Sequence, residues 1–372
     1  MQQIGLMKKL KVIISGGGTG GHIFPAIAIA KAMEKKVEKV EFLFVGAEDR
    51  MEMEKIPAAG YKIVGLWISG LQRNLSRRNL LFPFKVMSSL LKARKIVKQF
   101  KPDLAIGTGG YASGPLLFAA AKKGVPSLIQ EQNSYPGITN KILSKYVQKV
   151  CVAYDNMERF FGNEKLIITG NPIREDILGF DTKVEQGRKH FNIDDSKPTV
   201  LVVGGSLGAR TINEAIAENI EGFKTADVNL IWQTGISFQD KSQEIISAVN
   251  VPGIQAHTFI KEMDLAYAAA DVIVSRAGAI AISELCCVGK PIILVPSPNV
   301  SENHQYKNAQ SLVNKNAALL VEDKEASRKL VSTLMELVKD NSLQQSLSSN
   351  IKKLAIKNAA DEIAEIALRL IK

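Results

Sequence analysis

Short apolar runs alternate with helix-length amphipathic stretches along nearly the whole 372-residue chain. In the first half the runs fall at 11–15, 41–45, 104–107, 127–130 and 149–153; in the second they fall at 200–203, 229–233, 271–275 and 291–295. Unbroken apolar strands separated by helical segments predict parallel α/β sheets covered on both faces. The Gly170-Asn171-Pro172 step, followed by a charged and weakly periodic stretch over 174–197, reads as a boundary between two lobes, 1–172 and 173–349. The last helical pattern, 341–372, has no strand after it, so its end, from about 350 to 372, is expected to pack back on the first lobe. An apolar content of 46% is ample for two cores.

Each half carries one glycine-rich turn between an apolar run and a helix-compatible stretch (25–33 and 211–217): Gly16-Gly17-Gly18-Thr19-Gly20-Gly21-His22 and Gly204-Gly205-Ser206-Leu207-Gly208-Ala209-Arg210. Such turns present backbone N–H groups at a helix N-terminus, where the dipole favours an anion such as phosphate. The first formally matches the dinucleotide fingerprint Gly16-x-Gly18-x-x-Gly21. The acidic residue that a dinucleotide site wants at the end of the second strand is missing, since Glu48 and Asp49 lie beyond Gly46. The extra glycines and His22 suit a polar substrate lying directly on the loop. The second turn formally matches a nucleophile elbow, Gly204-x-Ser206-x-Gly208, but only His257 and His304 follow it, neither in a triad pattern. A serine hydroxyl and free N–H groups serve a diphosphate equally well. Glu284, inside the helix after the small-residue turn 275–279, reads either as a ribose-binding carboxylate or as a solvated helix residue. The amide-rich segment 303–309 follows 291–298, where a parallel sheet places its ligand crevice.

Charge adds a surface. Net charge is +11, from 48 Lys and Arg against 37 Asp and Glu, and suggests an anionic partner. Between Tyr61 and Lys101 stand Lys62, Arg73, Arg77, Arg78, Lys85, Lys92, Arg94, Lys95, Lys98 and Lys101 with no acid, interleaved with Leu80, Leu81, Phe82, Phe84, Val86, Met87, Leu90 and Leu91. Cations beside such a cluster read as a surface that docks on anionic lipid; the alternative is a core helix with a solvated basic face. No apolar stretch reaches the eighteen residues of a spanning helix, and the run after Lys8, Lys9 and Lys11 is too short for a signal peptide. Met7 is a candidate start. Cys151, Cys286 and Cys287 show neither metal nor disulfide spacing, which fits a reduced cytosolic compartment and core positions. No Asp-x-Asp occurs, so no metal site is expected, although magnesium can associate loosely with a bound diphosphate.

Taken in order, Gly-Gly-Thr-Gly-Gly-His (17–22), Gly-Thr-Gly-Gly-Tyr-Ala-Ser-Gly-Pro (107–115), Glu-Gln-Asn (131–133), Gly-Asn-Pro-Ile-Arg (170–174), Gly-Gly-Ser-Leu-Gly-Ala-Arg (204–210), Ser-Arg-Ala-Gly-Ala (275–279) and His-Gln (304–305) closely resemble the peptidoglycan N-acetylglucosaminyltransferases of the MurG type. The resemblance implies a GT-B fold: two Rossmann-like parallel-sheet lobes facing a cleft, the lipid acceptor on the first and UDP-N-acetylglucosamine on the second. It implies inverting transfer of N-acetylglucosamine to the 4-hydroxyl of the muramoyl sugar of lipid I, giving lipid II, on the cytoplasmic side of the bacterial inner membrane. Ser206 and the 204–208 loop, including Gly205 and Gly208, would hold the diphosphate with Arg174; the backbone of Phe259 and Ile260 would read uracil and Glu284 ribose. Asn133, His304 and Gln305 would contact the sugar. Thr19, Gly20, Gly21, Tyr111, Glu131, Arg276, Ala279 and Ile280 complete the implied substrate-binding set. His22, with an ordinary pKa near neutrality, is the candidate base. No resident cofactor and no nucleic acid are implied; wall-synthesis proteins are possible partners. Two positions depart from the pattern. Gln130 stands where many relatives have His, and Ala281 where some have Thr. Two other readings fit parts of the chain: a UDP-N-acetylglucosamine 2-epimerase, which shares the architecture and donor but leaves the 61–101 region without a purpose, and a nucleotide-sugar binding protein without turnover.

Overall fold

The computed structural model describes residues 9–70 and 81–371. The chain divides into two compact units, Met1–Ile173 with Asn358–Lys372, and Arg174–Lys357. In the first, strands β1 (Leu10–Gly16), β2 (Val40–Ala47), β3 (Ile63–Leu66), β4 (Leu104–Gly109), β5 (Ser127–Glu131), β6 (Lys149–Val152) and β7 (Leu166–Ile168) form one sheet in the order β3-β2-β1-β4-β5-β6-β7. The second holds β8 (Thr199–Val203), β9 (Asn229–Gln233), β10 (Ile254–His257), β11 (Val272–Ser275), β12 (Ile292–Leu294) and β13 (Leu319–Leu320) in the order β10-β9-β8-β11-β12-β13. Every neighbouring pair is parallel.

The unbroken apolar run of β1 follows from cover on both faces. Val12 and Ile14 pack with Ile23, Ala26 and Ile29 of the helix Gly20–Lys36, while Ile13 faces Ala93, Ile96 and Val97 of the helix Phe82–Phe100. In the second unit Val200, Val202, Leu230 and Trp232 pack against Ile212 and Ile216 of the helix Arg210–Glu218 and Leu330 and Leu334 of the helix Ala326–Lys339.

The single closing helix read from the sequence is two. Asn341–Lys352 starts where the Asp340 side chain accepts the Leu343 N–H (2.9 Å) and gives Leu347 to the second core; Ala359–Arg369 gives Ile363, Ala364 and Ala367 to the first. The two apolar stripes serve different cores, so the helix breaks between them.

The helix Phe82–Phe100 buries Ser89, Ala93, Ile96 and Val97 and turns Phe84 (68% exposed), Met87 and Leu91 outward, with Leu81 exposed just before it. Phe82 is only half-exposed. Arg73, Arg77, Arg78, Leu80 and the candidate start Met7 lie outside the described residues. Among the described residues no helix is long and apolar enough to cross a membrane. All three cysteines are buried, and burial pushes the Cys151 and Cys286 thiols up to about 12.

In a doubly wound sheet a crevice opens at the carboxyl ends of the strands where the winding reverses. Strand order puts those points between β1 and β4 in the first unit and between β8 and β11 in the second. The two glycine-rich turns follow β1 and β8.

Candidate active site

In the first unit the chain must turn from β1 into the helix Gly20–Lys36 within three residues, and Gly18 does so at φ +85°. The loop after β4 packs on this turn backbone to backbone. The Gly17 N–H donates to the Gly109 oxygen at 3.3 Å, and a Cβ on Gly110 (φ +89°) would stand 2.3 Å from the Gly17 oxygen. Gly110→Ala is therefore expected to destabilise the unit by more than Gly18→Ala. At Gly18 nothing lies within 4 Å of an added Cβ, and only left-handed strain of about 1–2 kcal/mol applies. Denaturant midpoints of the two variants compare them; equal losses would mean that the loop contact is soft.

His22 sits in the first helical turn with Nδ1 2.8 Å from the Gly17 oxygen. A carbonyl only accepts, so Nδ1 carries the proton and the neutral ring keeps its lone pair on Nε2. Gly109 makes room for the ring: a Cβ there would be 2.8 Å from Cδ2 and 3.0 Å from Nε2. Thr108 Oγ1 donates to the His22 carbonyl at 2.7 Å, and Thr19 Oγ1 lies 3.4 Å from Nδ1. Burial lowers the pKa of His22, opposed by the Gly17 hydrogen bond and the charge of Glu52. The positive end of the helix also disfavours the imidazolium. Both effects favour the neutral ring of His22. Thr19 precedes the helix and Gly20 and Gly21 open it. Exposed Tyr111 lies over Gly70, where a Cβ would be 2.3 Å from Cζ. Thr19, Gly20, Gly21, His22 and Tyr111 accordingly gather at the β1/β4 switch point.

β5 ends at Glu131, which is buried. Its Oε1 accepts from the Asn133 N–H (3.0 Å) and Nδ2 (3.2 Å), and its Oε2 from the Gly137 N–H (3.2 Å) and Asn140 Nδ2 (2.9 Å). Burial raises its pKa against these donors. With both oxygens engaged by the loop, Glu131 shapes the turn that carries Asn133. Gln130 fills its position with an uncharged network: its Nε2 donates to Asn171 Oδ1 (2.8 Å), its Oε1 accepts from Gln132 Nε2, and Asn171 Nδ2 donates to the Gln132 carbonyl (3.1 Å). That network joins β5 to the Gly170-Asn171-Pro172 step.

In the second unit the 204–209 turn after β8 uses Gly205 (φ +93°) and Gly208 (φ +81°); a Cβ on Gly208 would be 2.0 Å from the Thr234 oxygen. Ser206 and Leu207 are left at the exposed tip, just before the helix Arg210–Glu218. Gln233, missed in the sequence, joins this turn to the loop after β10: Nε2 donates to the Gly205 oxygen (3.0 Å) and Oε1 accepts the Ile260 N–H (2.9 Å). A lone amide ending an apolar strand was the available signal. Arg276, after β11, points its guanidinium at Asp323, Thr211 Oγ1 (3.1 Å) and the Val295 oxygen (3.0 Å), so it ties three segments together.

Ala279 and Ile280 open the next helix, Ala279–Val288, and Glu284 lies one turn on. Arg174 and Glu284, read separately from the sequence, form an ion pair: Nε to Oε1 is 3.0 Å, with Asp176 Oδ2 3.8 Å from Nη1. Burial raises the Glu284 pKa and Arg174 opposes it. After β12, Gln305 Oε1 accepts the Ser297 N–H (2.9 Å) beside His304, which begins the helix His304–Val313. Among the described residues no three His, Cys, Asp or Glu side chains cluster to hold a metal ion.

Two parallel sheets, each with a glycine turn and polar groups at its switch point, fit the GT-B fold class. The model of the glycosyltransferase family 28 N-terminal domain matches residues 12–152 and that of the C-terminal domain residues 199–363. Proteins called UDP-N-acetylglucosamine–N-acetylmuramyl-(pentapeptide) pyrophosphoryl-undecaprenol N-acetylglucosamine transferase are similar over almost the whole chain. That of Christiangramia forsetii is 52% identical over 97% of this chain and 98% of its own, and that of Cytophaga hutchinsonii 53% identical over 98% of each. The crystal structure of Acinetobacter baumannii MurG superposes with a TM-score of 0.76 at 27% identity, covering 97% of this chain and 100% of that one. The chain belongs to glycosyltransferase family 28 and, within it, to the MurG family. A UDP-GlcNAc 2-epimerase from Neisseria meningitidis, at TM-score 0.68 and 15% identity over 97% of this chain and 100% of its own, shares the fold alone.

Proposed function

We propose that this chain transfers N-acetylglucosamine from UDP-N-acetylglucosamine to the 4-hydroxyl of the muramoyl sugar of undecaprenyl-pyrophosphoryl-MurNAc-peptide, lipid I, with inversion, giving lipid II. The observation that carries the reading is His22, anchored through Nδ1 to Gly17 with its base nitrogen Nε2 available at the β1/β4 switch point of a MurG-family chain. Nε2 takes the acceptor proton, the acceptor oxygen attacks the anomeric carbon, and the bond to the diphosphate breaks with its electron pair leaving on UDP. Charge growing on UDP meets the helix that follows Ser206, the Ser206 hydroxyl and the outer nitrogens of Arg174. Glu284 Oε1 holds Arg174, and in this reading Oε2 takes the ribose hydroxyls. Asn133, His304 and Gln305 contact the sugar. Incubation with labelled UDP-N-acetylglucosamine and a short-chain lipid I analogue tests the reading. The disaccharide product supports it. Free N-acetylmannosamine in its place would mark an epimerase, and binding without product a nucleotide-sugar receptor.

The proposal includes peripheral docking on the cytoplasmic face of the inner membrane. The helices Phe82–Phe100, Ser113–Lys122 and Ile138–Leu143 contribute to one core on the same side of the first sheet. Outward from them stand Phe84, Met87, Leu91, Ile138 and Ile142, with Arg94, Lys95 and Lys98 exposed. Lys85 instead donates to Ser69 (3.0 Å) and sits over Trp67. Apolar side chains buried in the interface and cations on anionic headgroups each add about 1 kcal/mol or more, the latter screened by salt. A Phe84→Ser, Met87→Ser, Leu91→Ser variant is expected to lose about 100-fold in partition to anionic vesicles while keeping turnover on a soluble acceptor. Unchanged sedimentation with vesicles would move the docking surface elsewhere.

A further inference from the structure

One buried acid under the first turn has no part in the scheme above. Glu52, which begins the helix Glu52–Ala58, is 0% exposed, and among the described residues no cation pairs with it. Its Oε1 accepts the Ala47 N–H at 3.0 Å and its Oε2 the Gly18 N–H at 2.9 Å. Two glycines make its berth: a Cβ on Gly17 would stand 2.1 Å from Oε1, and one on Gly46 2.5 Å from Cγ. A carboxylate buried on neutral donors alone is costly. An apolar side chain would fill the same space at lower cost, so the charge itself calls for a role.

The Gly18 N–H and the Gly17 carbonyl belong to one planar trans peptide, whose two polar ends point in opposite directions. Glu52 holds one end and His22 Nδ1 the other. We propose that Glu52 is a positioning residue for the transfer reaction: through the Gly17–Gly18 peptide it fixes His22 as the Nδ1–H tautomer and stabilises the imidazolium that forms as Nε2 takes the acceptor proton. The inference rests on the reading of His22 as the base.

Hydrogen bonds in a chain polarise one another. A carboxylate accepting from the peptide N–H makes the carbonyl at its other end a stronger acceptor for Nδ1–H, and its negative charge favours the charged ring. The device is a carboxylate–histidine pair with a peptide inserted. The other groups recorded against the ring are Gly109 at the end of β4 and Gly17 and Thr19 from its own turn, none of them charged. The proton moves from the acceptor hydroxyl to Nε2, and the electron pair of that O–H bond forms the new bond to the anomeric carbon.

Imidazole nitrogen NMR on the full chain tests this without depending on turnover. In the wild type the neutral ring is expected to be protonated at Nδ1; a ring protonated at Nε2 overturns the proposal and needs no variant. In Glu52→Gln, loss of the charge is expected to lower the His22 pKa, to move the acid limb of the kcat/KM profile to lower pH, and to reduce kcat about 10- to 100-fold, less than the roughly 10⁴-fold known for a carboxylate in direct contact. Glu52→Asp keeps the charge and is expected to leave the limb in place. A folded Glu52→Gln protein in which His22 titrates as in the wild type overturns the proposal and marks Glu52 as a buried brace, while the base reading stands. If the His22 pKa shifts but His22→Ala retains turnover, the base reading fails and takes the positioning role with it.

Discussion

His22→Ala is expected to lower kcat by about two to four orders of magnitude, the span of general base catalysis, while the affinity for UDP-N-acetylglucosamine stays within a few-fold. The residue belongs to the unit that holds none of the proposed donor contacts except Asn133, so its loss falls on the transition state and not on donor binding. Its environment also sets the sign of the pH dependence. Burial holds the folded pKa below the ordinary histidine value of 6.5, so the ring is neutral across the physiological range. Activity is expected to be flat through neutrality and to fall only as acid protonates Nε2, at a pH below 6.5. Steady-state kinetics over pH 4.5–8 (a range of about 3.5 units around the ordinary value) and calorimetry with the donor check both parts. A variant that turns over within about threefold of the wild type, or an acid limb above the ordinary histidine value, would remove His22 as the base.

The central strands of both sheets were legible because each is buried on both faces and reads as an unbroken apolar run. The strands that escaped notice are β3, β7, β10 and β13, the outermost strands of the two sheets. An edge strand is short and only partly covered: β13 has two residues, both half-exposed, and Ile168 of β7 stands in solvent. No pattern along such a segment distinguishes it from a loop. The same logic governs the site. Gly18, Gly205 and Gly208 announce themselves, since positive φ demands glycine, and the turns they form must lie at helix starts. Glu52 and Gln233 do not. A glutamate at a helix start reads as solvated, and only the folded chain shows that Gly17 and Gly46, from different strand ends, leave a hole that its carboxylate fills. Arg174 and Glu284 stand 110 residues apart, and nothing in sequence spacing joins them.

That pair carries the other large expected effect. Glu284 is almost closed from solvent, its side chain 10% exposed, whereas Arg174 is 39% exposed. Removing one partner of a fully buried ion pair costs about 3–5 kcal/mol because the survivor is left uncompensated; water reaches Arg174, so the cost here is smaller. Arg174→Ala, which strands the buried carboxylate, is expected to destabilise the second unit by about 1–3 kcal/mol, more than Glu284→Ala, which strands a cation that water can reach. Donor binding is expected to show a different balance. Glu284→Ala removes the proposed ribose contact and the brace on Arg174 together and is expected to weaken UDP-N-acetylglucosamine binding by about 1–3 kcal/mol. Arg174→Ala removes the proposed contact to the diphosphate, whose charge also grows in the transition state, so it is expected to lower kcat as well as affinity. The double variant should then fall short of the sum of the singles, because each single already breaks the same pair. Denaturant unfolding, donor calorimetry and turnover on the four proteins complete the cycle. Strictly additive losses in both stability and binding would mean that the two side chains act independently and that their 3.0 Å contact has no part in holding the donor.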